Sequence, residues 1–200
     1  IEDRNLFLAF LTAAAARSGQ QLNVASLAKD VGIDGKTAAS WLSVLETSGI
    51  IYLLRPYCAN KTKSLVTKQP KIYFLDTGLC CYLLRWSSPE VLEAGAMSGA
   101  LLETYMFTEV LKSYWHNLRQ EPLYYYRDQS GYEVDLIIES AECVHPVEFK
   151  KTKFPDRSCL KAFARLEKLG KKVGTGAVIC CVDQPVQLSE NLWAIPISYL

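Results

Sequence analysis

The stretch Gly131–Lys151 reads GYEVDLIIESAECVHPVEFKK. Two runs rich in Val, Ile and Phe flank a short polar segment, the pattern of paired β-strands. Side chains alternate along a strand. Over Tyr132–Glu139 that alternation predicts Glu133, Asp135 and Ile137 on one face, and Tyr132, Val134, Leu136 and Ile138 on the other. Over Val144–Lys151 it predicts Glu148 and Lys150 beside Val144 and Pro146, with Val147 and Phe149 opposite. If the two strands are neighbours, Asp135, Glu148 and Lys150 converge near the strand ends.

A further acid joins them from upstream. Glu103 precedes Phe107, Val110 and Tyr114 at the spacing of one helix face. A carboxylate on such an apolar face is costly unless a metal ion or a lysine satisfies it. Two or three carboxylates can hold Mg²⁺ through oxygen and leave water positions open. The ion polarises a phosphate and lowers the pKa of bound water, and a neighbouring lysine offsets charge on the phosphorane. The expectation is a catalytic set of Glu103, Asp135, Glu148 and Lys150, with Mg²⁺ on the three acids. The competing reading is a structural ion pair between Glu148 and Lys150, or charges that keep a sheet edge soluble.

The surrounding pattern alternates between helix and strand. A helix is expected over Gly99–Leu118, strands over Leu123–Arg127, Tyr132–Glu139 and Val144–Lys151, a helix over Asp156–Leu169, and then the strands GAVICCV and LWAIPI. Hairpins together with a helical crossover make an α/β sandwich, a mixed sheet flanked by helices. His145 lies on the opposite parity from Glu148 and reads as packed or surface. The run LYYYRD reads as packing rather than base stacking, and Lys151 and Lys153 extend the basic end of the third strand.

The first half has another order. Helices are expected over Glu2–Arg17, from an Asn23 cap through Asp30, and from an Asp34 cap over Gly35–Ser48. Two strands follow, IIYLLRPY and PKIYFLD, joined by a loop carrying Lys61, Lys63 and Lys68. Helix, helix, turn, helix and a two-stranded wing is the order of a winged helix. The third helix offers Lys36, Thr37 and Ser40 to a DNA backbone, with Lys61 and Lys63 from the wing. A protein-docking or spacer module fits the same pattern. A short helix over Thr77–Arg85 and a connector, SSPEVLEAGAMSG, place the domain boundary near residue 90: a winged helix over 1–90 and an α/β domain over 91–200.

The chain has 200 residues, half of them apolar, enough for two small cores. Its net charge of +1 gives no global basic signal for nucleic acid. Seven cysteines sit in apolar contexts without a CxxC pair, as reduced thiols of a cytoplasmic protein do. No apolar run reaches the roughly 18 residues of a membrane span. The chain opens with Ile inside a helical pattern, as a piece of a longer protein would.

The stretches GQQLNVASLAKDVGIDGKTAASWLSVLETSGIIYLLRPY, PKIYFLDTGL, GALLETYMFTEVLK, YYRDQSGYEVDLII, PVEFKKTK and LWAIPISYL span nearly the whole chain. As a set they resemble the C-terminal region of bacterial and archaeal AAA-like ATPases, a region catalogued as a domain of unknown function. The resemblance implies an upstream P-loop ATPase domain, a winged helix and a restriction-endonuclease-like domain similar to PD-(D/E)XK nucleases. By position, Asp135 matches that superfamily's first acid, Glu148 and Lys150 its ExK, and Glu103 its helical Glu. Val134 stands where Pro is usual. ATP would bind only in the upstream domain, since no GxxxxGK[ST] loop occurs in this chain. The expected function is metal-dependent DNA cleavage or DNA binding. The alternative is a non-catalytic protein-interaction module coupled to the ATPase, and a third option is a regulator acting through the winged helix alone.

Overall fold

The computed structural model describes residues 3–58 and 68–200. The expected wing lysines Lys61 and Lys63 lie outside the described residues. Contacts divide the chain into two compact units: residues 1–54 with 69–108, and residues 55–68 with 109–200.

The first unit is built on three capped helices. α1 (Arg4–Ala15) starts where the Asp3 carboxylate accepts from the N–H groups of Asn5 and Leu6, both at 2.9 Å. After a two-residue strand, β1 (Gln20–Gln21), comes α2 (Val24–Val31), capped by Asn23 at the Ser26 N–H. Gly32 ends α2 at φ 78°, a left-handed conformation that glycine adopts without a Cβ clash. α3 (Gly35–Thr47) follows from Asp34. β2 (Ile51–Leu54) and β3 (Lys71–Phe74) pair antiparallel, and β1 adds to the free edge of β3. Phe10, Ala14, Leu27, Ala38, Leu42, Leu45, Ile72 and Phe74 form one core. Trp41 meets Phe7 and Phe10 edge-on, with ring centroids at 5.3 Å in each case.

α4 (Thr77–Leu83) is as expected, but the expected connector contains a helix, α5 (Pro89–Ala94). Ser88 caps it through the Val91 N–H and Pro89 stands in its first turn. Ser followed by Pro is a helix start as well as a loop signal, and here capping decides. α6 (Ser98–His116) supplies residues through Thr108 to the first unit and from Glu109 to the second.

The second unit carries a mixed sheet of seven strands. β4 (Leu123–Arg127), β5 (Glu133–Glu139) and β6 (Cys143–Lys150) form an antiparallel meander. α7 (Leu160–Leu166), extended by a 3₁₀ turn over Glu167–Leu169, crosses to β7 (Lys172–Val173) and β8 (Gly176–Cys180), both parallel to β6. β9 (Val186–Ser189) and β10 (Leu192–Pro196) complete the order β4-β5-β6-β8-β10-β9. Residues 55–57 belong to this unit because Tyr57 N–H donates to the Tyr125 carbonyl and Tyr125 N–H donates to that of Arg55.

α7 lays Ala162, Phe163 and Leu166 on a core with Val134, Ile137, Val144, Val178, Leu192 and Ala194. Gly176 makes room for this packing: a Cβ there would lie 2.8 Å from the Phe163 ring and 3.1 Å from the Pro146 carbonyl oxygen. α7 is shorter than expected because residues 156–159 turn before it begins. The Asp156 carboxylate there accepts from the Ser158 N–H, a local bond that competes with the helix. Among the described residues no helix is long and apolar enough to cross a membrane.

Removing the Phe163 ring leaves a hole over Gly176. Phe163→Ala is expected to destabilise the second unit by about 3–5 kcal/mol, read from urea unfolding.

Candidate functional site

The register of β4 against β5 skips one residue. Tyr126 is opposite Val134 and Tyr124 is opposite Ile137, so Tyr125 alone faces both Asp135 and Leu136. This is a β-bulge, which bends a strand and redirects its side chains. The β5–β6 ladder extends from Glu139 opposite Val144 to Leu136 opposite Val147 and ends at the bulge. Just beyond it, Oδ2 of Asp135 accepts the Phe149 N–H at 3.0 Å. The carboxylate takes the place of the next ladder partner.

The bulge corrects the expected alternation on β5. Val134 and Ile137, assigned to opposite faces by strict parity, are both fully buried in the same core, where Tyr132 also packs. The extra residue between them reverses the parity. Redirection of Asp135 was invisible in the sequence, because no Gly or Pro marks the bulge.

On β6 the expected alternation holds at this end. Val147 and Phe149 are buried, and Glu148 and Lys150 are half-buried between them. The register sets Glu148 beside Val178 and Lys150 beside Cys180. Lys150 Nζ donates to Ser158 Oγ at 2.7 Å and lies 3.5 Å from Asp156 Oδ1. Bonds from the Ser158 hydroxyl and N–H, and to a lesser degree the Lys150 charge, hold the Asp156 carboxyl below its ordinary range. Burial pushes the Cys159 thiol up to about 11, with the Glu148 charge adding and the Lys150 charge opposing. Lys150, Asp156 and Ser158 therefore meet at one end of β6, where Glu148 is two residues before Lys150 on the strand and Asp135 bonds the Phe149 amide between them. Sequence reasoning treated Asp156 only as a helix start. Its role beside Lys150 follows from the turn it makes with Ser158.

Glu103 lies in the first unit, on α6. Its Oε1 accepts from Lys71 Nζ at 3.0 Å and from the Tyr73 hydroxyl at 2.7 Å. Lys71 and Tyr73 are two apart on β3 and so share a face. Tyr73 also stacks on Phe107 of α6, with centroids at 4.1 Å. The Lys71 side chain is 3% exposed and that of Glu103 is 19%. Of the two ways to satisfy this carboxylate, the lysine is present. Among the described residues no three His, Cys, Asp or Glu side chains gather as a metal cage.

On α3, Lys36 and Ser40 are exposed. Thr37 is half-buried and committed to the helix start: its hydroxyl donates to Asp34 Oδ2 at 2.5 Å and its N–H to Oδ1 at 3.0 Å. These bonds hold the Asp34 carboxyl below its usual range. Thr37 and Asp34 line a shallow cleft with Asp3, Leu6, Ile33 and Trp41.

The Lys71–Glu103 pair gives a stability prediction. Removing one partner strands a buried charge, so Lys71→Met is expected to destabilise the first unit by about 3–5 kcal/mol. The double variant Lys71→Met/Glu103→Leu recovers much of that loss in urea unfolding, because no lone charge is left.

Comparison with known proteins covers nearly the whole chain. The model described as Domain of unknown function (DUF8612) matches residues 1–90, and that described as Domain of unknown function (DUF4143) matches residues 98–200. The chain is similar to Uncharacterized protein Rv2008c of Mycobacterium tuberculosis and Uncharacterized protein Mb2031c of Mycobacterium bovis. Each is 30% identical over 187 residues, covering 92% of this chain and 40% of the relative. The chain thus spans about 40% of the length of the curated relatives it matches. No solved structure matches it. With its C-terminal half matched end to end, the chain belongs to the family described as Domain of unknown function (DUF4143).

Proposed function

We propose that the second unit is a restriction-endonuclease-like domain that acts on nucleic-acid phosphodiesters with a divalent cation. The observation that carries the reading is the bulge on β5, which turns the Asp135 carboxylate onto the Phe149 amide, between Glu148 and Lys150 in sequence. The meander β4–β5–β6, the crossover through α7 and the parallel strand β8 support it as a mixed sheet flanked by helices.

The donor set suits Mg²⁺. That ion takes oxygen ligands and is commonly held by one or two carboxylates together with substrate phosphate. Asp135 and Glu148 would hold it, so a cage of three acids is not required. When bound, the cation polarises the phosphate and acidifies water. Lys150 donates a hydrogen bond to the oxygen that gains charge in the transition state. Ser158 and Asp156 hold its ammonium at the sheet end. The loop from β6 to α7 adds exposed Lys151, Lys153 and Arg157, with Phe154 89% exposed among them. Cations flanking an open ring suit a phosphate backbone and its bases. Glu103 is assigned a structural role, since Lys71 and Tyr73 occupy its Oε1.

The first unit is read as a winged helix. The order α1–β1–α2–α3–β2–β3, with the antiparallel sheet β1-β3-β2, supports that reading. Lys36 and Ser40 of α3 would touch DNA phosphates, and Thr37 would act through its N-cap. In a longer protein the chain would follow an AAA-like ATPase domain that binds ATP. A second reading, a non-catalytic interaction module coupled to that ATPase, is favoured because among the described residues no three His, Cys, Asp or Glu side chains gather closely enough to hold a metal ion.

The test is cleavage of single- and double-stranded DNA with Mg²⁺ or Mn²⁺. Asp135→Ala, Glu148→Ala and Lys150→Ala are each expected to lower the rate by about 100-fold or more, while folded Glu103→Gln keeps it. Equal cleavage by wild type and all three variants rejects the assignment. No cleavage by wild type supports the interaction module. Separately, Lys36→Ala is expected to weaken duplex binding across sequences and to reduce the salt slope by about 1.

A further inference from the structure

The opposite end of β6 carries a second chemical grouping. Cys143 and His145 are two apart and share a face of the strand. Seven residue steps separate Cys143 from Lys150, about 23 Å of extended chain. Cys143 Sγ lies 3.3 Å from His145 Nε2 and 3.3 Å from Ser140 Oγ. His145 Nδ1 lies 3.0 Å from the Thr175 carbonyl oxygen. A carbonyl only accepts, so Nδ1 carries the proton, and Nε2 of the neutral ring is left as acceptor for the thiol.

Nucleophile, base and an orienting group for the base thus stand in hydrogen-bond reach, the arrangement that activates a thiol. A second element makes space for it. A Cβ at Gly174 would lie 2.7 Å from His145 Cε1, 2.9 Å from Nδ1 and 3.0 Å from Cys143 Sγ. Any larger residue there would displace the ring or the sulfur. The charged groups around the pair are Glu142 beside it in sequence, Lys172 opposite Cys143 on β7, and the ion pair between Glu139 at the end of β5 and Lys171 just before β7.

We infer that Cys143 is a base-assisted nucleophilic thiol, a modification site for small uncharged electrophiles that is separate from the acidic cluster. Other thiols are held back by burial, which pushes Cys80 up to about 12 and Cys159 up to about 11 and also raises Cys81 and Cys180. Acyl transfer does not fit: the Cys143 N–H, a donor that would receive an acyl oxygen, is given to Ser140 Oγ at 3.1 Å. With iodoacetamide, the thiol proton passes to His145 Nε2 and the sulfur lone pair attacks the methylene carbon. The S–C bond forms as the C–I bond breaks, iodide leaves, and the imidazolium returns its proton to solvent. The Ser140 hydroxyl can turn from the Cys143 carbonyl to donate to the thiolate while it persists.

The test is iodoacetamide labelling of the folded chain at pH 7, followed peptide by peptide by mass spectrometry. Cys58, an exposed thiol, is the internal reference. Cys143 is expected to react about tenfold faster than Cys58. His145→Gln and Gly174→Ala should each bring Cys143 to the Cys58 rate or below, with circular dichroism confirming the fold. A Cys143 rate at or below that of Cys58 in the wild type, or one unchanged in folded His145→Gln, overturns the inference. Should a variant fail to fold, the wild-type ratio decides alone. Phosphodiester cleavage plays no part in this readout, so the two readings fail independently.

Discussion

One hydrogen bond organises the candidate site: the Phe149 amide donating to the Asp135 carboxylate. A regular ladder would have given that amide a carbonyl and left Asp135 aligned with its own strand. The bulge opposite Tyr125 removes the ladder partner and supplies the carboxylate in its place. A buried amide without a partner costs about 1–3 kcal/mol, so the acid is held as firmly as the strand end it closes. The same carboxylate therefore stabilises the sheet and anchors the chemistry proposed for it. Lys150 is held in a similar way, from the turn that precedes α7.

The first unit solves a different electrostatic problem. Glu103 stands on a helix whose neighbouring positions are apolar, and β3 presents Lys71 and Tyr73 to it from one face. A buried pair of this kind is a weak source of net stability, since desolvation offsets much of the attraction. Its effect is on register: a slip of β3 by one residue would turn Lys71 and Tyr73 away from α6 and strand the carboxylate. An acid on an apolar helix face is thus ambiguous in sequence, because a metal and a lysine satisfy it equally well.

Much of the fold was legible in the sequence. The caps Asn23 and Asp34, the three helices, the strand pair β2–β3, the meander β4–β5–β6 and the crossover to β8 follow from local rules whose signals lie within a few residues. What escaped depends on distant partners. β1 and β7 are two residues long and exist only because β3 and β6 offer edges to them. β9 is short and half exposed, and its pairing comes from β10. The bulge at Asp135 has no local marker, so strict parity fails beyond it. At the site, Glu148 and Lys150 were readable from alternation on β6. Ser158 and Asp156 were not, since nothing in a single sequence says that the loop before α7 returns to the end of β6. His145 falls on the opposite parity from Glu148, and its contact with Cys143 lies at the other end of the strand.

The proposed chemistry needs the bulge to bring Asp135 within reach of a cation shared with Glu148. Anomalous diffraction from crystals soaked in Mn²⁺ tests it most directly. One strong peak is expected in contact with carboxylate oxygens of both Asp135 and Glu148. A map in which those two carboxylates bind no metal, or in which the ion sits on Glu103 without them, would contradict it.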